Sequence, residues 1–208
     1  MSARLTLALG FLGAFQHWRG GSWNDAVGRH TRQVFPARAQ RRALCTLRDA
    51  VRAASAFDVL ELRIVGYSWG AWTALDMAGR VLAQPSRLAP VLGDRRIDVR
   101  LGLLDPVRFL RRPVHMPTAA RIWNVYQRNG CYRGCPGRSA WYRGQPVPGA
   151  IWNHDVTLEG RERPMRVGIP PSASPDHIQM GYLGWGGYDE AMAAVLTDGE
   201  PRLTPPRV

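Results

Sequence analysis

The chain contains no lysine, only three cysteines and no long apolar run. All 28 of its basic residues are arginine, a bias that genomes rich in G and C favour. With 16 acidic residues the net charge is +12, which attracts small anions and anionic surfaces over a long range. The arginines are scattered, so a specific nucleic-acid-binding module is not expected. Since no apolar segment reaches about 18 residues, no transmembrane segment is predicted.

The three cysteines leave several interpretations open. Cys45 lies in an apolar helical stretch, where a small buried side chain is expected. Cys131 and Cys135 bracket a glycine-rich loop. The interpretations of this pair are two reduced thiols, a local disulfide, or half of a zinc site with His115 or His154. A zinc site is disfavoured because the histidines lack a paired spacing. We therefore expect no metal and no other cofactor.

The apolar segment 5–15 resembles both a buried strand and the core of a short signal peptide. It lacks a convincing small-x-small cleavage site. We interpret Leu5 to Phe11 as the first strand of the fold, which favours a cytoplasmic location over secretion.

Apolar runs and helical periodicity alternate along the chain, which is typical of an α/β fold. We predict one domain over residues 1–208, a three-layer α/β/α sandwich with a mostly parallel sheet and a flexible tail from about residue 198. The predicted strands are Leu5–Phe11, Val59–Val65, Val99–Leu104 and Arg121–Gln127, with a hairpin or further strand within 156–169. The predicted helices are 37–56, 71–82 and 188–196, and 12–36 and 128–152 are predicted to be loops.

The segment Gly66-Tyr67-Ser68-Trp69-Gly70 joins a predicted strand to a predicted helix. In that context the pattern indicates a nucleophile elbow, a tight turn that presents a serine hydroxyl. Glycine suits both flanking positions because the helix and the strand approach closely there. The backbone N–H of Trp69 would then help to bind an oxyanion at the helix N-terminus. The alternative is a glycine-rich turn whose serine is incidental.

A serine hydroxyl needs a base to take its proton, and histidine is the usual one. His177 follows the last strand-like segment and fits the order serine, acid, histidine. His154 is the second candidate, and His115 is expected to serve structure.

The third member of a triad is a carboxylate that orients the histidine. Asp105 ends the predicted strand after the elbow helix, and no acidic residue occurs between it and Asp155. This absence of other acidic residues favours Asp105 as the acid of the triad. The alternative is that Asp105 caps its own turn before Pro106.

A second oxyanion donor is expected in the loop after the first strand. Phe11, Leu12 and Gly13 are the candidates, and Leu12 is preferred. Phe11, His17 and Trp18 are predicted to line the substrate pocket.

Together, Gly66-Tyr67-Ser68-Trp69-Gly70, Leu104-Asp105-Pro106 and a late His177 resemble the α/β-hydrolase superfamily, and within it small lipase-, esterase- or cutinase-like members. An acid placed after the strand that follows the elbow is similar to that of some lipases, whereas the oxyanion loop is atypical. The resemblance implies hydrolysis of a small-molecule or lipid carboxylic ester through an acyl-enzyme. A thioesterase or acyltransferase with the same triad, and a non-catalytic binding protein of this fold, are the alternatives.

Overall fold

One six-stranded sheet organises the chain. The computed structural model describes residues 3–13, 25–28, 31, 33–54, 56–88, 92, 95–107, 115–128, 142–157, 192 and 195. The strands are β1 (Arg4–Phe11), β2 (Val34–Phe35), β3 (Val59–Tyr67), β4 (Arg96–Leu104), β5 (Arg121–Tyr126) and β6 (Trp152–Asp155). The helices in these ranges are α1 (Asp25–Gly28), α2 (Gln40–Ala53) and α3 (Trp69–Ala83), and a short 3-10 turn covers Pro85–Arg87.

The strands are ordered β2-β1-β3-β4-β5-β6, and every neighbouring pair is parallel. The chain therefore moves outward from β1 to β2 and then returns past β1 to add β3, β4, β5 and β6 on the other side. Such a reversal is a switch point, and ligands of open α/β sheets bind there at the carboxyl ends of the strands. Ser68 follows β3 and Leu12 follows β1, so both lie at the switch point.

The central strand β3 is buried along all nine residues, as expected for a parallel strand covered on both faces. Leu60, Leu62 and Ile64 belong to the larger apolar cluster, which includes buried residues of α2 and α3. Val65 and Tyr67 belong to a second cluster on the opposite face. That cluster also contains Val27 of α1, Met192 and Val195. In the described part of the chain, no helix is long and apolar enough to cross a bilayer.

On the face that carries Val65 and Tyr67, β3 and β4 also bury charge. Glu61 is only 1% exposed, and its carboxylate lies 2.9 Å from Nη2 of Arg63 and 3.0 Å from Nε of Arg100. Buried charges persist in folds when they are paired in this way. The cluster links two neighbouring strands below the carboxyl edge of the sheet.

The long predicted elements are confirmed, with ends shifted by a few residues. Two short strands lie outside the predicted strands. The predicted loop 12–36 contains α1 and β2, and β6 (Trp152–Asp155) begins at the end of the predicted loop 128–152. Most of the range 156–169 lies outside the described residues, so the hairpin or strand predicted there stays a prediction. Met192 and Val195 are helical and buried, in agreement with the predicted last helix.

Candidate active site

A single residue makes the turn between β3 and α3. The strand ends at Tyr67 and the helix begins at Trp69, so Ser68 alone reverses the chain. Its backbone angles are φ 57° and ψ −123°, a left-handed conformation that costs about 1–3 kcal/mol for a residue with a side chain. The Ser68 N–H donates to the carbonyl of Leu104 (2.9 Å), and its carbonyl accepts from the N–H of Ala71 (3.1 Å). The surrounding backbone therefore holds this strained turn in place.

The glycines of the pentapeptide fit this geometry. A Cβ at Gly66 would lie 2.7 Å from the Cα of Ala71, inside the start of α3. A Cβ at Gly70 would overlap the backbone carbonyls of Phe11 and Leu12. The first turn of α3 thus rests directly on the end of β1, which brings the loop after β1 against the elbow.

Trp69 is the first residue of α3, so its N–H is among those that have no acceptor within the helix. The positive end of the helix dipole lies at the same place. The indole ring lies under the guanidinium of Arg38, with Cζ 5.0 Å from the ring centroid. The Thr73 hydroxyl donates to the carbonyl of Ala37 (2.7 Å), which fixes the Arg38 turn on α3. Trp69 is therefore held by a cation at the start of α3, and its role as an oxyanion donor stays a prediction.

The Leu12 N–H donates to the carbonyl of Phe35 in β2 (2.9 Å). To bind an oxyanion, the Leu12 N–H would have to break this hydrogen bond, so its role as an oxyanion donor stays a prediction. Phe11 is fully buried and packs against Phe35, with ring centroids 6.0 Å apart. The ring thus belongs to the core beneath the site, a position that does not support its predicted contact with substrate.

Asp105 lies next to Ser68 at the carboxyl edge. It follows Leu104, whose carbonyl accepts the Ser68 N–H, and its own N–H donates to the carbonyl of Val125 (2.7 Å). The side chain is completely buried, and φ is 47°. Ser68 and Asp105 are the two non-glycine residues with positive φ within the described ranges. The predicted nucleophile and acid therefore share an unusual backbone state and one edge of the sheet.

Gln127, immediately after β5, contacts both oxygens of the Asp105 carboxylate. Its N–H lies 3.1 Å from Oδ1, and its Nε2 donates to Oδ2 at 2.8 Å. A Cβ at Gly144 would overlap Oδ1, so a backbone without a side chain closes this pocket. Sequence reasoning missed Gln127. The available signal was its position, directly after the strand that neighbours the one ending at Asp105.

His115 binds a carboxylate on α3, away from Ser68. Its Nδ1 lies 2.8 Å from Oδ1 of Asp76, a carboxylate that also accepts from Arg80 (2.7 Å) and Gln40 (2.9 Å). Burial raises the pKa of Asp76, but hydrogen bonds, the strongest from Arg80, outweigh this and lower it to about 2. Asp76 follows Ser68 by eight residues, or about 12 Å along the helix. His115 therefore serves structure, as predicted.

His154 lies in β6, three strands from β3, which corresponds to about 14 Å across the sheet. Its ring stacks on Trp152, with centroids 4.7 Å apart. Asp155 beside it lies 3.2 Å from Nε of Arg128 and accepts from the N–H of Thr157 (3.0 Å). This strand is too far from Ser68 for His154 to take the hydroxyl proton.

Several predicted residues lie outside the described ranges: the base His177, the pocket residues His17 and Trp18, and the loop cysteines Cys131 and Cys135. Among the residues that are described, no three His, Cys, Asp or Glu side chains are grouped so that they could hold a metal ion.

No known family model matches the sequence, and no curated protein matches it significantly. The function therefore has to be inferred from the carboxyl edge of the sheet itself, where Ser68, Asp105 and Gln127 meet.

Proposed function

We propose that the chain is a serine hydrolase that cleaves carboxylic esters, with Ser68 as nucleophile, His177 as base and Asp105 as the acid that orients it. The main support is the positive φ that Ser68 and Asp105 share at the ends of the neighbouring strands β3 and β4, beside the switch point. Positive φ is uncommon at non-glycine residues, because the surrounding structure has to stabilise the strained backbone. Residues in this conformation cluster at active sites.

We further propose a three-layer α/β-hydrolase architecture. One face of the sheet packs α2 and α3, and the other packs Val27 of α1 together with Met192 and Val195. Residues from both ends of the chain thus cover the second face. The single-residue joint between strand and helix is the geometry that a nucleophile elbow requires.

In the proposed reaction, His177 takes the proton of the Ser68 hydroxyl while Oγ attacks the ester carbonyl carbon. The carbonyl oxygen becomes an oxyanion near the N–H of Trp69. The C–O bond to the alcohol then breaks, and His177 gives its proton to the leaving alkoxide. His177 then takes a proton from water as the water oxygen attacks the carbonyl carbon of the acyl-enzyme. The bond to Ser68 Oγ breaks, Oγ takes the proton from His177, and the carboxylic acid is released. Asp105 holds the imidazole in one tautomer and stabilises its protonated form.

A fluorophosphonate probe tests the nucleophile. We expect labelling of the wild type and of Ser86→Ala, a control at an exposed serine, but none of Ser68→Ala. Persistent labelling of Ser68→Ala, or an unlabelled wild type, would overturn the assignment. A series of p-nitrophenyl esters of increasing acyl length then measures turnover, and no turnover with any ester would favour a binding-only protein.

The acid and base are tested on the best of those esters. Asp105→Asn keeps the shape of the side chain but favours the wrong histidine tautomer, so kcat should fall about 10⁴-fold. His177→Ala should abolish Ser68-dependent turnover, whereas His154→Ala should leave kcat within about threefold, because β6 is about 14 Å away. Full activity of His177→Ala would exclude His177 as the base.

A further inference from the structure

We infer that Gln127 is a positioning residue that sets the orientation of the catalytic acid, an inference that rests on the proposed function. No motif marks this residue, and its role follows from the contacts around the Asp105 carboxylate. It touches the acid rather than the reacting atoms.

Gln127 fixes Asp105 at both oxygens, through its backbone N–H to Oδ1 and its side-chain Nε2 to Oδ2. Both residues are fully buried, so the carboxylate cannot turn toward bulk water to replace either contact. Two donors on two oxygens define the plane of the carboxylate as well as its position. A carboxylate has about four acceptor sites, of which the contacts with Gln127 use two.

The Gln127 side chain is itself held. A glutamine amide has two N–H donors. One serves Asp105, and Nε2 also donates to the carbonyl of Tyr142 (2.9 Å). The N–H of Gly144 donates to the Gln127 carbonyl (2.7 Å). The residues that hold Gln127 thus place its amide on the acid, and the amide stays neutral throughout the working pH range.

A purely structural role is the competing explanation, because Gln127 also joins the end of β5 to the segment 142–144. Asn124 provides a matched control. It is a fully buried amide within β5, and its Nδ2 donates to the carbonyl of Gln145 (3.0 Å) and to Oδ1 of Asn153 (2.8 Å). These contacts tie the same region together without the acid.

A double-mutant cycle on the full chain separates the two roles. Gln127→Met keeps the volume and removes the side-chain donor. We expect kcat to fall about 10- to 100-fold with KM within about threefold, since the contact orients the acid and does not bind substrate. In an Asp105→Asn background, the same change should reduce kcat less than about threefold, because residues that act as a unit are not additive.

The control Asn124→Leu should lower the unfolding temperature but change kcat by the same small factor in both backgrounds. If Gln127→Met also lowers kcat by equal factors in both backgrounds, the role of Gln127 is structural and the inference is overturned. Should Gln127→Met not fold, Gln127→Leu, which also lacks a side-chain donor, is placed in the same cycle and the same coupling is expected. A wild type without Ser68-dependent turnover would instead overturn the proposed function, a result visible before any Gln127 variant is made.

Discussion

Replacing Asp76 by asparagine tests how strongly its ion cluster stabilises the fold. Asp76 of α3 accepts hydrogen bonds from Gln40 of α2, from Arg80 one turn further along, and from the backbone N–H of His115. Its side chain is 15% exposed. Asparagine keeps the shape but removes the charge that these donors stabilise.

The magnitude follows from the pKa of Asp76, which is lowered from 3.8 to about 2. Each unit of pKa difference between folded and unfolded chain is worth about 1.4 kcal/mol, so the ionised carboxylate contributes about 2 kcal/mol. A lowered pKa means that this stability is present above about pH 4 and is lost as the pH falls toward 2. Linkage leaves about half of the contribution at pH 3 and a few tenths of a kcal/mol at pH 2.

Urea unfolding of the wild type and Asp76→Asn, at several pH values between 7 and 2.5, measures this dependence. We expect a difference in the free energy of unfolding of about 2 kcal/mol at pH 7, or about 4–8 °C in Tm, that shrinks below pH 4. The control Asp49→Asn removes a carboxylate that is 69% exposed and lies 3.9 Å from Arg52. It should lower the free energy of unfolding by less than about 0.5 kcal/mol. A difference for Asp76→Asn that is independent of pH would refute the reasoning.

Three further substitutions probe packing and charge. Gly70→Ala gains about 1 kcal/mol of helix propensity, but its Cβ meets the carbonyl of Leu12, so urea unfolding should show a net loss of about 1–3 kcal/mol; a stabilised variant would contradict the close approach. Gly144→Ala pushes a methyl group onto the Asp105 carboxylate, and ester turnover should fall at least about tenfold; unchanged kcat would show that this pocket is not tightly closed. Glu61→Gln leaves buried arginines without their charge partner and should cost about 3–5 kcal/mol in urea unfolding, whereas a cost below about 1 kcal/mol would argue against the ion cluster.

Much of the sheet could be predicted because its inner strands are mostly apolar. The runs at β1, β3, β4 and β5 are long enough to be recognised from composition alone. β2 has only two residues, Val34 and Phe35, which is too short for any periodic signal. β6 alternates half-buried and exposed residues at the sheet edge and contains Asn153, His154 and Asp155, so its apolar signal is weak.

Because β2 could not be recognised in the sequence, the loop after β1 was hard to predict. The hydrogen bond that uses the Leu12 N–H ends on Phe35, so its presence could not be foreseen without that strand. Ser68 and Asp105 could be placed, because strand ends and the order of residue types predict them. Gln127 could not, since an amide carries no charge signal and its contact depends on the register between β4 and β5.

The joint at Ser68 also limits how the sequence can change in length. With one residue between strand and helix, inserting another would rotate α3 by about 100° relative to β3. The buried face formed by Ala71, Ala74 and Ala78 would then turn away from the sheet. Insertions and deletions should therefore be absent from this joint in any descendant sequence that keeps the fold, whatever happens to the longer connections.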